Sequence, residues 1–295
     1  MKRALSFKPN LDELTRHLRQ ISTERNFETS LQGLAKVQSY VREVFVSNGF
    51  NIEEILFSFH GRTFSNVVAS LNLDVRKPRL ILGAHFDAVP QTPGADDNAS
   101  GVACLLETAR VYAQSERQSA NVEFVAFNLE EYGMIGSRAY ARELKSRSTK
   151  VDGMLSLEMV GYASQKKSSQ KMPIFLKPFY PDVGNFVGLV ANTQSRKLLE
   201  KVKNIFEEVS NLPTESITLP ANGWAFPDAR LSDHSPFWDE GFPALLVTDT
   251  SFFRNPHYHT PEDRVETLDL EFLAKVTEAT IRTVLSDWVA RKDTD

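Results

Sequence analysis

The sequence predicts an α/β fold in which a mainly parallel β-sheet is covered by helices on both faces. Short apolar runs alternate with longer segments of helical periodicity, the pattern of successive βα units. The runs are nearly continuous in apolar character, as expected for strands buried on both sides. A chain of 295 residues suits one large domain of this class. We therefore expect residues 1–295 to form one domain, with the helices of residues 1–50 packed on it.

The first 50 residues predict two amphipathic helices, over residues 11–21 and 31–48. Leucine, valine and phenylalanine recur in both at helical spacing. Gly49 fits the stop of the second helix, since glycine readily adopts the left-handed conformation found there. We expect His17 at the surface and His60 at the edge of a strand.

The remainder of the chain alternates between predicted strands and helices. Strands are predicted over residues 66–71, 80–84, 122–127, 154–157 and 244–247. Helices are predicted over residues 101–114, 137–145, 195–210 and 269–290. The stretch 164–181 is rich in lysine and serine and then interrupted by proline, which predicts an excursion over the surface.

Composition argues against several classes of function. The net charge of −4 gives no basic surface for nucleic acid or anionic membrane. The single cysteine, Cys104, cannot form an intrachain disulfide, and its apolar neighbours predict a buried thiol. No apolar run approaches the ~20 residues of a membrane span, and the N-terminal residues lack the apolar core of a signal peptide. We therefore expect a cytoplasmic protein without a membrane or nucleic-acid partner. The oligomeric state does not follow from the sequence.

Polar side chains of the kind that bind metals follow the predicted strands. His85, the pair Glu130 and Glu131, and Glu158 each come at or soon after a strand end, where α/β sheets bind their ligands. Two imidazoles and three carboxylates can hold two Zn²⁺ ions, with one carboxylate bridging them and another left as a base. Asp87 can accept the second ring N–H of His85 and fix its tautomer. The pattern predicts a metal site for hydrolysis.

These residues occur within a set of short motifs that extends from about residue 66 to the C-terminus. The motifs are Ala84-His85-Phe86-Asp87, Gly94-Ala95-Asp96-Asp97-Asn98-Ala99-Ser100-Gly101, Leu129-Glu130-Glu131-Tyr132-Gly133, Gly136-Ser137, Leu157-Glu158-Met159-Val160-Gly161-Tyr162, Ser232-Asp233-His234 and Asn255-Pro256-His257-Tyr258-His259-Thr260. Together they resemble the M28 family of di-zinc aminopeptidases. The resemblance implies a three-layer α/β/α sandwich with a mixed sheet and a cis peptide bond between Asp97 and Asn98.

The resemblance also implies a role for each matched residue. Asp97 corresponds to the bridging ligand and Glu130 to the general base. The remaining zinc ligands are His85 and Glu158 for one ion, and Glu131 and His259 for the other. Glu158 stands where many members of the family have aspartate, which alters the geometry of the site without removing a ligand. Tyr258 resembles a position whose hydroxyl stabilises the tetrahedral oxyanion in some relatives, and a packing role fits it equally well.

The sequence thus predicts a zinc aminopeptidase that acts on peptides with a free N-terminus, with Co²⁺ or Mn²⁺ as other metals that fit such ligands. A glutaminyl cyclase-like transferase and a carboxypeptidase or amidohydrolase on the same site are the alternatives. The segment 233–237 resembles the cyclases, but Tyr258 stands where they typically have tryptophan. The segments 179–186 and 222–228 are predicted to form the substrate pocket, with Trp224 and Phe226 as apolar lining. The side-chain preference and the roles of Asp233 and His234 stay open.

Overall fold

A computed structural model describes residues 8–116, 121–174 and 176–286, and its centre is an eight-stranded sheet. The strands are β1 (Asn51–Phe59), β2 (Arg62–Ser70), β3 (Arg79–His85), β4 (Val122–Phe127), β5 (Val151–Glu158), β6 (Val187–Asn192), β7 (Thr214–Leu219) and β8 (Ala244–Thr248). Their order in the sheet is β1-β2-β4-β3-β5-β8-β6-β7. The central strands β4, β3, β5 and β8 are parallel, whereas β1, β2 and β6 each make antiparallel pairs.

Helices cover both faces of this sheet. The helices are α1 (Leu11–Ile21), α2 (Leu31–Ser47), α3 (Gly101–Gln114), α4 (Ile135–Ser146), α5 (Arg196–Glu207), α6 (His234–Asp239) and α7 (Leu270–Val284). On β3, Leu80 and Leu82 face a core shared with α1, α2, α3, α5 and α7. Ile81 faces the opposite core, which α4 and α6 complete. The predicted three-layer α/β/α architecture with a mixed sheet is confirmed.

Three strands and one helix were not predicted from the sequence. The strand β1 carries the exposed residues Glu53 and Glu54 next to each other, which interrupt the apolar run used to find the other strands. The strands β6 and β7 are six residues each and contain glycine or polar residues, and α6 spans only six residues. The predicted end of the last helix, residues 287–290, lies outside the described residues. The segment 164–181 contains no strand or long helix among its described residues, as predicted.

The N-terminal helices pack on the sheet through the larger core. Asn10 caps α1 by accepting the backbone N–H groups of Asp12 and Glu13, and Leu14 and Leu18 are fully buried. Gly49 has φ +84° at the end of α2, which confirms the predicted stop. Helices α1 and α2 therefore share the core of the central sheet, and a single domain over residues 1–295 stays a prediction. Among the described residues, no helix is long and apolar enough to cross a membrane.

His17 was predicted at the surface, and this prediction is wrong. His17 lies on α1 and is fully buried, and its Nδ1 lies 2.7 Å from the hydroxyl of Tyr40 on α2. Burial lowers the pKa of His17 to about 4, and the charges of Arg16 and Arg110 act in the same direction. Cys104 is buried as predicted, and burial raises the pKa of its thiol to about 11.

Because His17 is buried, we expect the folded chain to lose stability in mild acid. Because the pKa of His17 is about 4 in the folded chain and ordinarily 6.5, the unfolded chain binds more protons below pH 6.5. Stability is therefore full above pH 6.5 and falls as the pH drops toward 4. We expect His17→Gln to reduce the loss between pH 7.5 and 4.5 by about 2–3 kcal/mol. Urea unfolding with a chelator present measures this difference.

The matched control is His60→Gln, since His60 is exposed. The control should keep the acid dependence of the parent chain. Equal pH slopes for His17→Gln and the parent would contradict the assignment.

Candidate metal centre

The carboxyl ends of adjacent parallel strands bring the predicted ligands together. The strands β3 and β5 end at His85 and Glu158, and Glu130 follows the end of β4 by three residues. Because β4, β3 and β5 are neighbours and run parallel, these ends lie at one edge of the sheet. Asp97 comes from the turn Ala95–Ser100 before α3, and His259 comes from the segment after β8.

The five predicted ligands form two clusters that share Asp97. In the first, His85 Nε2 lies 3.3 Å from Asp97 Oδ1 and 3.3 Å from Glu158 Oε2. In the second, His259 Nε2 lies 3.1 Å from Asp97 Oδ2 and 3.3 Å from Glu131 Oε2. The two oxygens of Asp97 therefore face different clusters, which is the arrangement that a bridging carboxylate needs.

The turn that carries Asp97 is fixed by side chains from distant parts of the chain. The peptide bond between Asp97 and Asn98 is cis, as predicted. Asp263 accepts the backbone N–H groups of Asp96 and Asp97 at 2.9 and 3.1 Å. The amide of Asn98 donates to the Leu157 carbonyl at 2.8 Å, next to the ligand Glu158. This bond fixes the position of the turn relative to the end of β5.

Asp87 connects the first cluster to the acidic pair. Its carboxylate accepts the backbone N–H groups of Glu130 and Glu131 at 3.0 and 3.2 Å. Its Oδ1 lies 3.5 Å from His85 Nδ1, which also lies 3.2 Å from the Asp87 carbonyl oxygen. Asp87 therefore lies beside His85, as the sequence predicted. It also holds the backbone of Glu130 and Glu131, which the sequence did not indicate.

The residues next to Glu130 and Glu158, and the predicted ligand His259 itself, have left-handed backbones. Leu129, Met159 and His259 have φ values of 57°, 46° and 58°. Such a conformation costs a non-glycine residue roughly 1–2 kcal/mol. Backbone hydrogen bonds, such as Asp249 N–H to the Met159 carbonyl at 2.6 Å, offset this cost. The strand ends are thus turned so that their side chains face one point.

The centre concentrates negative charge in a buried space. Burial, followed by the charge of Asp97, raises the pKa of Glu131 to about 7. Burial also raises the pKa of Glu130 well above its usual range, with Glu158 and Glu131 adding to the effect. Among the described residues, no group donates a hydrogen bond to the buried Glu131 Oε1. A set of carboxylates and imidazoles with an unsatisfied buried oxygen fits divalent cations.

Two further residues from the sequence motifs lie beside this centre. Tyr258 lines the adjoining cavity, and its ring stacks on that of His259 with centroids 3.7 Å apart. Asp233 is fully buried, and burial raises its pKa to about 7. Ser232, its neighbour, donates to Glu158 Oε2 at 2.8 Å. The buried His234 contacts the Ala229 carbonyl through Nε2 at 2.9 Å.

Arg25 makes five hydrogen bonds beside the centre, and the sequence motifs did not indicate it. Its guanidinium is fully buried and uses its five N–H donors on backbone carbonyls. These are the carbonyls of Thr23, Phe86, Pro93, Gly94 and Asp97, at 2.5 to 3.4 Å. The next residue, Asn26, bonds both the Ala88 carbonyl and the Tyr132 hydroxyl. The N-terminal segment therefore clamps the two loops that carry Asp97 and Glu131.

A cavity of about 360 Å³ adjoins the centre and is lined by four of its acidic residues. Its remaining walls are mainly apolar and include Phe226, as predicted, whereas Trp224 stacks on Arg230 instead and is 66% exposed. None of the lining residues belongs to α1–α7. Strands form one side, and the segments 172–190 and 225–231 contribute much of the rest, close to the predicted walls.

The family model for peptidase family M28 matches residues 66–284. The chain belongs to this family. The matched region contains every predicted ligand and Glu130, whereas Arg25 lies before it. The chain is 33% identical to the uncharacterized protein YfbL of Escherichia coli strain K12, over 92% of this chain and 85% of that one. It is 30% identical to aminopeptidase YwaD of Bacillus subtilis strain 168, over 72% of this chain and 43% of that one.

Solved structures of related chains share the fold. The Legionella pneumophila LapA aminopeptidase gives a TM-score of 0.76 at 18% identity, covering 96% of this chain and 72% of that one. The Porphyromonas gingivalis glutaminyl cyclase gives 0.69 at 21% identity, covering 95% and 98%. BSAP, a zinc aminopeptidase from Bacillus subtilis, gives 0.55 at 28% identity, covering 77% and 51%. Family membership and the aminopeptidase relatives identify a hydrolase of the metallo-aminopeptidase type, for which zinc is the implied metal.

Proposed function

We propose that the chain removes the N-terminal residue of peptides by hydrolysis, using two zinc ions and Glu130 as the general base. The observation that supports this most directly is the pair of ligand clusters that share Asp97 and open onto a cavity. His85 and Glu158 would complete the site of one ion, and Glu131 and His259 that of the other. Zinc in such sites polarises a carbonyl group and lowers the pKa of water toward about 7.

Glu130 is suited to moving the proton during the reaction. Its Oε2 lies 4.0 Å from His85 Nε2, so it borders the ligands without joining either cluster. Burial raises the pKa of Glu130, with Glu158 and Glu131 adding to the effect, and a raised carboxyl pKa is typical of general bases in enzymes. Glu130 takes a proton from the attacking water and returns it to the leaving amine. Asp87 holds the backbone of Glu130 in place for both transfers.

Tyr258 is the candidate for stabilising the oxyanion that develops on the scissile carbonyl. Its side chain lines the cavity between the centre and the apolar wall. Burial raises the pKa of its phenol strongly, so the hydroxyl keeps its proton at neutral pH. A protonated hydroxyl in this position donates a hydrogen bond to a developing negative charge.

The charges around the cavity favour the N-terminus of a peptide over its C-terminus. Among the described residues that line the cavity, every charged side chain is acidic: Asp97, Glu130, Glu131, Glu158, Glu215 and Asp228. Bound zinc would compensate Asp97, Glu131 and Glu158, but no basic side chain among these lining residues could bind a terminal carboxylate, and Glu215 and Asp228 would repel one while attracting a positively charged α-amine. This charge distribution supports an aminopeptidase over a carboxypeptidase.

Mass spectrometry of a matched peptide panel tests the proposal. The panel has one sequence with a free, an acetylated or a glutaminyl N-terminus, each incubated with the zinc-loaded protein and with chelator. We expect loss of one N-terminal residue from the free peptides only, abolished by chelator and restored by added zinc. Loss of ammonia from the glutaminyl peptide would point to a cyclase, and shortening from the C-terminus to a carboxypeptidase. Either result without N-terminal release would overturn the proposal.

A further inference from the structure

One row of residues crosses the sheet from the metal centre to the far wall of the cavity. Glu158 on β5 pairs with Thr248 on β8, Thr248 pairs with Gly188 on β6, and Gly188 pairs with Glu215 on β7. Paired residues of neighbouring strands point to the same face of a sheet. All four residues line the cavity. The row therefore joins a proposed zinc ligand to a second carboxylate across three strand spacings, about 14 Å.

The middle of this row is open because it carries glycine. A Cβ atom built on Gly188 would meet its nearest neighbour, the Thr248 carbonyl oxygen, at 3.4 Å, so a side chain would fit there. Its absence leaves a trough between Thr248 and Glu215. Val190, Ile217 and Leu246 form the adjoining apolar floor. The trough is thus lined by apolar groups along its length and by a carboxylate at its end.

Glu215 has no partner of its own in this position. Its carboxylate makes no hydrogen bond or ion pair with any of the described residues. The nearest opposite charge, Lys203 on α5, pairs with Glu207 at 3.6 Å. Burial raises the pKa of Glu215, which marks the partial loss of water around the group. A cation brought along the trough would replace that water and compensate the charge.

We propose that the cavity selects peptides whose N-terminal residue is lysine or arginine, with Glu215 binding the cationic end of that side chain. This inference rests on the aminopeptidase function proposed above. The α-amine and the scissile bond lie at the metal centre, the methylene groups follow the apolar floor past Gly188, and the ammonium or guanidinium reaches Glu215. An acidic side chain is excluded by the same carboxylate. A neutral side chain of equal length fills the trough without the charged contact.

The test compares lysine with norleucine, which has the same length but lacks the ammonium group. The substrates are aminoacyl coumarylamides of lysine, arginine, norleucine and glutamate, and kcat/KM is measured with the zinc-loaded protein. We expect lysine and arginine to exceed norleucine by at least about tenfold, and glutamate to be the poorest. In Glu215→Gln the ratio of lysine to norleucine should fall toward one. In Glu215→Lys glutamate should overtake lysine.

The matched control is Glu207→Gln, which removes the same charge from an exposed neighbour on α5 outside the cavity. This control should keep the lysine-to-norleucine ratio of the parent chain. Thermal unfolding of each variant establishes that it is folded before the ratios are compared. A second variant, Gly188→Leu, fills the trough and should lower kcat/KM for lysine far more than for an alanyl substrate.

The outcomes separate this inference from the proposed function. Release of norleucine and lysine at equal rates, or an unchanged ratio in Glu215→Gln, would overturn the inference and leave the aminopeptidase intact. Failure to hydrolyse any aminoacyl substrate or peptide with zinc bound would overturn both.

Discussion

Replacing Glu130 with glutamine is expected to lower kcat by about 10²–10⁴-fold, the range typical of a lost general base. Glutamine keeps the size of the side chain but cannot accept and return a proton. Because Glu130 stands outside both ligand clusters, the variant should still bind two zinc ions. We expect KM to change by much less than kcat. Steady-state kinetics on a released aminoacyl dye, with zinc counted by mass spectrometry, measures both effects.

Glu262→Gln is the matched control, since Glu262 is exposed and lies three residues beyond the ligand His259. It should retain the activity of the parent chain. A Glu130→Gln variant with full zinc content and kcat within about threefold of the parent would exclude the proposed role. Loss of zinc together with activity would instead make Glu130 a ligand.

Replacing Arg25 with methionine is expected to destabilise the chain and to weaken metal binding together. The change removes the guanidinium donor from five backbone carbonyl oxygens, those of Phe86, Gly94 and Asp97 in buried hydrogen bonds, at a cost of at least about 3 kcal/mol. Two of those carbonyls, of Gly94 and Asp97, belong to the turn that presents the shared ligand. We expect the zinc dissociation constant to rise by about 10–100-fold, as for other supports of metal ligands. Competition with a chelating dye measures it.

Arg79→Met provides the control, since Arg79 is a largely buried arginine whose side chain is 12% exposed. Arg79 pairs with the buried Glu123 at 2.8 Å and lies at the opposite end of β3 from His85. The Arg79→Met variant should lower the unfolding free energy without changing the zinc dissociation constant. Arg25→Lys keeps the charge but offers fewer donors, so it should fall between the parent and Arg25→Met. Unchanged zinc affinity in Arg25→Met would contradict the clamp and leave Arg25 a purely structural residue.

The sequence predicted those site residues that directly follow a recognisable strand pattern. His85, Glu130 and Glu158 follow apolar runs, and parallel strands bring their ends to one edge, so periodicity alone suggested that they meet. The assignment of Asp97 and His259 depended on the family resemblance, because neither follows a predicted strand. The structure brings His85, Glu158, Glu131 and His259 into two clusters around Asp97, and Glu130 lies outside both.

The residues that hold the ligands in place could not be predicted, because they lie far along the chain from the residues to which they bond. Asp263 bonds Asp96 across 167 residues, and Arg25 bonds Gly94 across 69. A lone aspartate or arginine in a polar segment resembles many surface residues. The burial of His17 was missed for the same reason, since the tertiary contact with Tyr40 decides it. The trough to Glu215 depends on the antiparallel pairing of β6 with β8, which a short strand does not reveal.

The placement of the cavity has a consequence for how related enzymes diverge. The proposed reacting groups lie at strand ends held by buried hydrogen bonds, whereas the selecting groups lie on β6, β7 and the connecting segments. A substitution at Gly188 or Glu215, or a change in length of residues 162–186, alters which side chains enter without shifting a strand. Proteins that descend from such a chain can therefore change which N-terminal residues they accept and keep the same catalytic groups.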